Sequence, residues 1–149
     1  MTDSIFNRIQ VEIKRTYYIY DRYKSASTFI LVYHEDPLSV EQLAVYVRIS
    51  DKFVRIDDNH YFINLAFTSQ EDSIRASQNL LLYLDNFFNN KKSCIAIDTF
   101  NPSNSAQVVL DKLMQILKKD SYNRIKDESI LKVNTKKKKF ISFFKKKSK

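Results

Sequence analysis

Hydrophobic residues recur along the chain with two spacings, one typical of helices and one typical of strands. In residues 4–23 they stand every three or four positions, which predicts an N-terminal helix. The next run, STFILVYHE, is rich in aromatic and β-branched residues and predicts a strand. The stretch VRISDKFVRIDDNHYFINLAF predicts two more strands, joined by a tight turn at residues 57–60.

Two capping patterns mark the starts of the helices between these strands. Ser39 and Gln42 are spaced as a capping box, and Thr68 and Glu71 repeat that spacing after the hairpin. The run SCIAIDTF predicts a fourth strand, and SAQVVLDKLMQILKKD predicts a final amphipathic helix. From Ser27 onward the predicted order is therefore β-α-β-β-α-β-α.

This order is typical of a ferredoxin-like α+β fold. Such a fold is a βαββαβ antiparallel sheet with helices on one face, here with an N-terminal helix and an extra C-terminal helix. We expect a helical segment over residues 1–26, the ferredoxin-like domain over 27–123 and a flexible tail over 124–149. Side chains alternate along a strand, so one face of the strand after the turn should carry Tyr61, Ile63, Leu65 and Phe67.

The composition excludes several classes of function. The chain contains no glycine, and phosphate-binding loops need glycines so that backbone N–H groups can approach the phosphates. Its single cysteine, Cys94, allows no internal disulfide. No signal-like segment or long apolar segment stands out, and we expect a cytoplasmic protein.

The net charge of +8 comes from one end of the chain. Residues 136–149 contain eight Lys and no acid, whereas the remainder carries 17 basic and 17 acidic side chains. A basic and aromatic segment of this kind is similar to polybasic segments that bind anionic membranes, although it could also contact nucleic acid or only solvate the chain. We favour peripheral attachment at the inner membrane face, through Lys136, Lys137, Lys138, Lys139, Phe140, Phe143, Phe144, Lys145, Lys146 and Lys147.

The hairpin carries a specific arrangement of residues. Arg55 and Ile56 lead into the turn, and an Arg-x-x-Asp pattern formed by Arg48 and Asp51 ends five residues before it. This window resembles the GGDEF family, the diguanylate cyclases that make cyclic di-GMP and their inactive relatives. The positions of the family's five-residue signature are occupied by Asp57, Asp58, Asn59, His60 and Tyr61.

The resemblance implies a degenerate, non-catalytic member. In active members, paired glycines let the hairpin approach the substrate triphosphate, and two acidic residues beside them support metal binding and the transition state. Two carboxylates in the glycine positions would instead repel a triphosphate. The segment before the hairpin also lacks the family's metal- and guanine-binding elements. We expect no enzymatic activity and no cofactor.

Two interpretations of the candidate residues stay open. Residues 57–60 form an ordinary polar turn, or they mark the remains of an active site. Arg48 and Asp51 form a surface ion pair, or they bind cyclic di-GMP as the family's inhibitory site does.

Other chemistry is less well supported by the sequence. His34 and His60 lack the spacing of a metal site, and an RNA-binding sheet of this order should show a glycine-containing aromatic signature. The sequence therefore predicts a non-catalytic regulatory protein with cyclic di-GMP, an anionic membrane and an unidentified protein as partners. The alternatives are an adaptor module without a nucleotide ligand, or a nucleic-acid-associated protein that uses the basic tail.

Overall fold

A long amphipathic helix opens the chain. In this computed structural model, which describes residues 1–48 and 51–131, α1 spans Asp3–Tyr23. Thr2 caps its start, because the Thr2 Oγ1 accepts a hydrogen bond from the Ile5 N–H at 3.2 Å. The helix ends at Lys24, which adopts the left-handed conformation with φ 55°. This helix was predicted from the spacing of its hydrophobic residues.

The remaining elements follow the predicted order, with one addition. They are β1 (Thr28–His34), α2 (Val40–Ala44), β2 (Lys52–Arg55), β3 (His60–Leu65), α3 (Gln70–Phe88), β4 (Ser93–Thr99), α4 (Ala106–Lys118) and β5 (Ile125–Lys126).

One of the two predicted capping boxes is confirmed and the other is wrong by one residue. Ser39 and Gln42 exchange the two hydrogen bonds of a capping box at the start of α2, a helix of only 5 residues. At α3 the cap is Ser69, whose Oγ accepts the Asp72 N–H at 3.2 Å. Thr68 is buried, and its hydroxyl donates to the Ala66 carbonyl instead of capping the helix, so the next residue is the cap.

The sheet has the strand order β2-β3-β1-β4-β5. The first four strands pair antiparallel in the ferredoxin-like order, which confirms the predicted fold class. β5 adds a parallel edge beside β4. The folded part therefore extends beyond residue 123, the predicted end of the domain, and into the segment 124–149 that was predicted to be a flexible tail.

Helices cover both faces of the sheet. The two helices inside the βαββαβ unit, α2 and α3, lie on one face, as that fold class requires, and α1 and α4 cover the other. The α2 and α3 side includes Ile30, Leu43, Tyr61, Ile63, Leu84 and Ile97. The α1 and α4 side includes Ile9, Ile13, Phe29, Phe62, Val109 and Leu113.

Phe67 does not share the face of Tyr61, Ile63 and Leu65, contrary to expectation. Strand β3 ends at Leu65, and Phe67 has φ 55° with 57% of its surface exposed. The alternation that holds along a strand therefore stops before this residue.

In the described part of the chain, every helix is too short or too polar to span a bilayer. The whole candidate membrane segment, residues 136–149, lies outside the described residues.

Candidate ligand site at Arg48 and Asp51

The hairpin tip is a turn closed by its own polar side chains. β2 ends at Arg55 and β3 begins at His60. The Asp57 carboxylate accepts the Asn59 N–H at 2.8 Å, and the same oxygen lies 2.8 Å from the His60 Nδ1. Arg55 pairs with Asp58 at 2.5 Å between Nη2 and Oδ1. These contacts are those of a polar turn.

Asn59 and Tyr61, two of the signature residues, also form hydrogen bonds with the end of β1 and the loop that follows it. The Asn59 Nδ2 donates to the carbonyl oxygens of His34 and Glu35, at 2.9 and 2.8 Å. The Tyr61 hydroxyl donates to the Leu38 carbonyl inside the core. Asn59 and Tyr61 therefore have structural contacts that explain their presence without a ligand.

The charge at the tip is unfavourable for a triphosphate. Partial burial would raise the pKa of Asp57, but hydrogen bonds from His60 and from the Asn59 N–H outweigh it and lower that pKa below its ordinary value. Asp57 therefore carries a negative charge at neutral pH, at a position where the GGDEF family has glycine.

Arg48 and Asp51 form a two-pronged ion pair at the other end of the hairpin. The Arg48 Nε lies 2.9 Å from one carboxylate oxygen of Asp51, and the Nη2 lies 2.8 Å from the other. The backbone closes the same loop, because the Asp51 N–H donates to the Arg48 carbonyl at 3.0 Å. The Arg48 N–H also donates to the Asp51 carboxylate, at 3.2 Å. The pair thus holds together the chain between α2 and β2.

The guanidinium is also fixed to the loop between β3 and α3. Its Nη2 lies 2.7 Å from the Thr68 Oγ1 and 3.2 Å from the Ala66 carbonyl oxygen. Thr68 in turn donates to the same Ala66 carbonyl at 2.9 Å. Sequence reasoning missed Thr68 and Ala66, because Thr68 matched a capping pattern and no motif marks a carbonyl oxygen.

The pair is not a plain surface ion pair. The Asp51 side chain is 3% exposed, whereas the Arg48 side chain is 57% exposed. The hydrogen bond with Asp51 raises the pKa of Arg48 above its ordinary value, although partial burial opposes the rise. A buried carboxylate therefore anchors a cation that faces solvent.

Arg48 and Asp51 differ in how accessible they are to a ligand. Both Asp51 oxygens accept hydrogen bonds from Arg48, and the guanidinium, at 57% exposed against 3% for Asp51, is the more accessible of the two groups to a ligand. Among the described residues the Arg48 Nη1 has no hydrogen-bond acceptor, so its N–H groups can donate to a ligand. That the Asp51 carboxylate accepts hydrogen bonds from guanine N–H groups stays a prediction.

The site and the hairpin tip are well separated. Asp51 precedes β2 and residue 56 follows it, and four strand residues span roughly 13 Å. The structure therefore does not bring Arg48 together with the signature residues. Within residues 1–48 and 51–131, His, Cys, Asp and Glu side chains form no group of three that could hold a metal ion.

No family model matches the sequence, and no curated protein matches it either. Solved structures do match. They include PelD residues 158 to the C-terminus from Pseudomonas aeruginosa PAO1, at 16% identity and TM-score 0.56, over 84% of this chain and 48% of that one. The same region in complex with cyclic di-GMP matches at 16% identity and TM-score 0.57, over 84% and 48%.

A third match is PelD 156–455 from strain PA14 in complex with cyclic di-GMP, at 16% identity, TM-score 0.55 and 76% and 46% coverage. The chain spans about half the length of these structures. At this identity the likeness shows a shared fold.

Proposed function

We propose that this protein is a non-catalytic cyclic di-GMP-binding protein and that Arg48 makes the principal contact. One observation carries the proposal. Arg48 and Asp51 form a fork and have the Arg-x-x-Asp spacing that resembles the GGDEF inhibitory site, in a fold shared with structures of PelD solved with that ligand.

The chemistry of Arg48 suits this ligand. A guanidinium presents planar donors that match the acceptor edge of guanine or the oxygens of a phosphate. Here the group is half-exposed and already oriented by Asp51 and Thr68, so less side-chain freedom is lost on binding. Asp51 acts as a positioning residue for Arg48.

The hairpin tip supports the absence of catalysis. Its turn has carboxylates and no glycine, and Asn59 is engaged by the loop after β1. With GTP and magnesium or manganese, the purified protein should yield no cyclic dinucleotide. Turnover that disappears in Asp58→Ala would overturn this part of the proposal.

Calorimetry with cyclic di-GMP tests the binding. Arg48→Ala would leave the buried Asp51 carboxylate without its fork and would weaken the fold, so Arg48→Lys is the better variant. It keeps the charge and loses the planar donors, and we expect at least tenfold weaker binding. Arg8→Lys makes the same change on the exposed surface of α1 and should bind like the wild type.

The absence of heat with the wild-type protein, or equal affinity in Arg48→Lys, would contradict the proposal. A thermal-shift series with guanine nucleotides provides a second measurement, since a specific ligand stabilises the fold in proportion to the logarithm of its concentration over its dissociation constant.

We further propose that the basic tail attaches the protein to anionic membrane. The support is the sequence alone: eight Lys and three Phe among residues 136–149, beside a remainder with no net charge.

A further inference from the structure

A small hollow opens beside Arg48 and Asp51. Its volume is about 90 Å³, and its lining includes Tyr46 as well as the two charged residues. The rest of the lining is mostly apolar and buried, and it comes from β1, β3 and α3: Ile30, Ile63, Leu65 and Leu80. The hollow therefore combines an apolar floor with a cationic rim.

Tyr46 forms one wall of this hollow and is held in a defined orientation. Its ring stacks on that of Tyr83, with centroids 3.6 Å apart and planes at 27°. The Tyr83 hydroxyl donates to the Gln42 carbonyl at 3.2 Å, which fixes the supporting ring. Tyr46 is nevertheless 47% exposed, so part of its ring remains open to a ligand.

The arrangement selects among the ligands that Arg48 alone would accept. A guanidinium can bind either a phosphate or a nucleobase edge, but an aromatic wall and an apolar floor stabilise a flat, apolar group such as a base and not a simple anion. The hollow has room for only a few water-sized groups. It can therefore take the edge of one base, with the sugar and phosphates outside.

We infer that Tyr46 is a ligand-binding residue of this site, on whose ring a purine base stacks while Arg48 donates to the edge of the base or to a phosphate. The inference rests on the proposed function and adds the residue that makes the site select purine nucleotides over simple anions. Tyr83 is a positioning residue for Tyr46.

Calorimetry with cyclic di-GMP on matched variants tests the inference. Stacking of a base on an aromatic side chain corresponds to about a tenfold change in affinity or more. We expect Tyr46→Leu to bind about tenfold more weakly and Tyr46→Phe, which keeps the ring, to bind within about twofold of the wild type. Tyr122→Leu is the matched control, since it makes the same change at a fully exposed position.

A second measurement does not depend on the folding of any variant. The wild-type protein should bind GMP more tightly than ribose 5-phosphate, which has the phosphate but no base. If the wild type binds cyclic di-GMP, then equal affinity in Tyr46→Leu, or equal affinity for GMP and ribose 5-phosphate, overturns the inference and leaves the proposed function in place. If the wild type does not bind cyclic di-GMP, both fail.

Discussion

Within residues 1–48 and 51–131 of this glycine-free chain, three residues adopt the left-handed backbone conformation: Lys24, Phe67 and Asn89. Asn is tolerated there, but a Lys or Phe side chain clashes with the following carbonyl, at a cost of about 1–2 kcal/mol. Lys24 and Asn89 cap the ends of helices, and Phe67 is held by a residue distant in sequence. The Lys24 N–H donates to the Tyr20 carbonyl at 2.7 Å, and the Phe67 N–H donates to the Ser27 Oγ at 3.2 Å. The chain therefore stores backbone strain at these positions.

Replacing Lys24 by glycine should relieve one of these strains. We expect Lys24→Gly to raise the free energy of unfolding by about 1 kcal/mol, because glycine adopts this conformation without a clash. Urea denaturation measures the change. Lys14→Gly, in the exposed middle of the same helix, should lower the free energy of unfolding by about 1 kcal/mol. A loss of stability in both variants would show that Lys24 is not strained.

Sequence patterns at the level of single residues were informative where the interaction is local. The Ser39 capping box depends on residues three apart and was predicted correctly. Thr68 fits the same pattern, but its hydroxyl is taken by Arg48, 20 residues earlier, and the helix starts at Ser69 instead. The burial of the Asp51 side chain depends on how the surrounding elements pack and could not be predicted from spacing alone.

At the scale of elements, the short strand β5 is fastened by Arg124. This residue forms two hydrogen bonds with the Asp85 carboxylate, at 2.9 and 2.6 Å, and its Nε donates to the Ser93 carbonyl at 2.8 Å. It thereby links β5 to α3 and β4. A strand of 2 residues shows no alternation, so no pattern in the sequence predicts it.

A double-mutant cycle on Arg124 and Asp85 should show the strength of this link. We expect a coupling free energy of about 1–2 kcal/mol from urea denaturation of Arg124→Ala, Asp85→Ala and the double variant. The hydrogen bonds from Arg124 lower the pKa of Asp85, so this stabilisation is present above the ordinary carboxyl pKa and lost as the pH falls through the lowered one. A coupling near zero at neutral pH would mean that β5 is held by other contacts.

The contribution of Asp98 to the free energy of unfolding should depend on pH in the opposite sense to that of Asp85. Burial raises its pKa, although Lys112 lies only 3.2 Å away and itself contacts Glu128 at 2.6 Å. The unfolded chain releases the Asp98 proton near the ordinary value of 3.8, and the folded chain releases it at higher pH. The contribution of Asp98 to stability is therefore greatest at low pH and falls as the pH rises through this interval.

The difference between two pH profiles isolates this contribution. The free energy of unfolding of the wild type minus that of Asp98→Asn should decrease between pH 4 and pH 7, as measured by urea denaturation at each pH. A difference that rises over the same range would show that Lys112 outweighs the burial.

For the molecule as a whole, the sequence was most informative about topology. The order of its strands and helices predicted the ferredoxin-like sheet, and the structure shows it. The position of the candidate site followed from the family resemblance, but the contacts around Arg48 did not, because Tyr46, Thr68 and Asp51 converge only in three dimensions. The basic tail is a second candidate region, whose proposed membrane attachment rests on the sequence.

The tail prediction is tested with vesicles. Each Lys near an anionic surface contributes about 1 kcal/mol, so eight should give several kcal/mol even when they are not additive. We expect the full chain to sediment with anionic vesicles and the chain without residues 136–149 to remain in solution. Changing Phe140, Phe143 and Phe144 together to Ala should weaken the binding to vesicles. The binding that is left depends on the Lys side chains and should weaken further as the salt concentration rises. Retardation of DNA or RNA without vesicle binding would favour the nucleic-acid alternative.

The proposed binding of cyclic di-GMP at Arg48 can be measured by titrating the ligand into isotope-labelled protein and following the backbone amide and Arg Nε resonances by NMR. We expect saturable shifts of the resonances of Arg48, Tyr46 and Thr68, while the amide resonances of Asn59 and His60 at the hairpin tip, at the other end of β2, do not shift. Shifts centred on the hairpin tip, or no shifts at millimolar ligand, would contradict it.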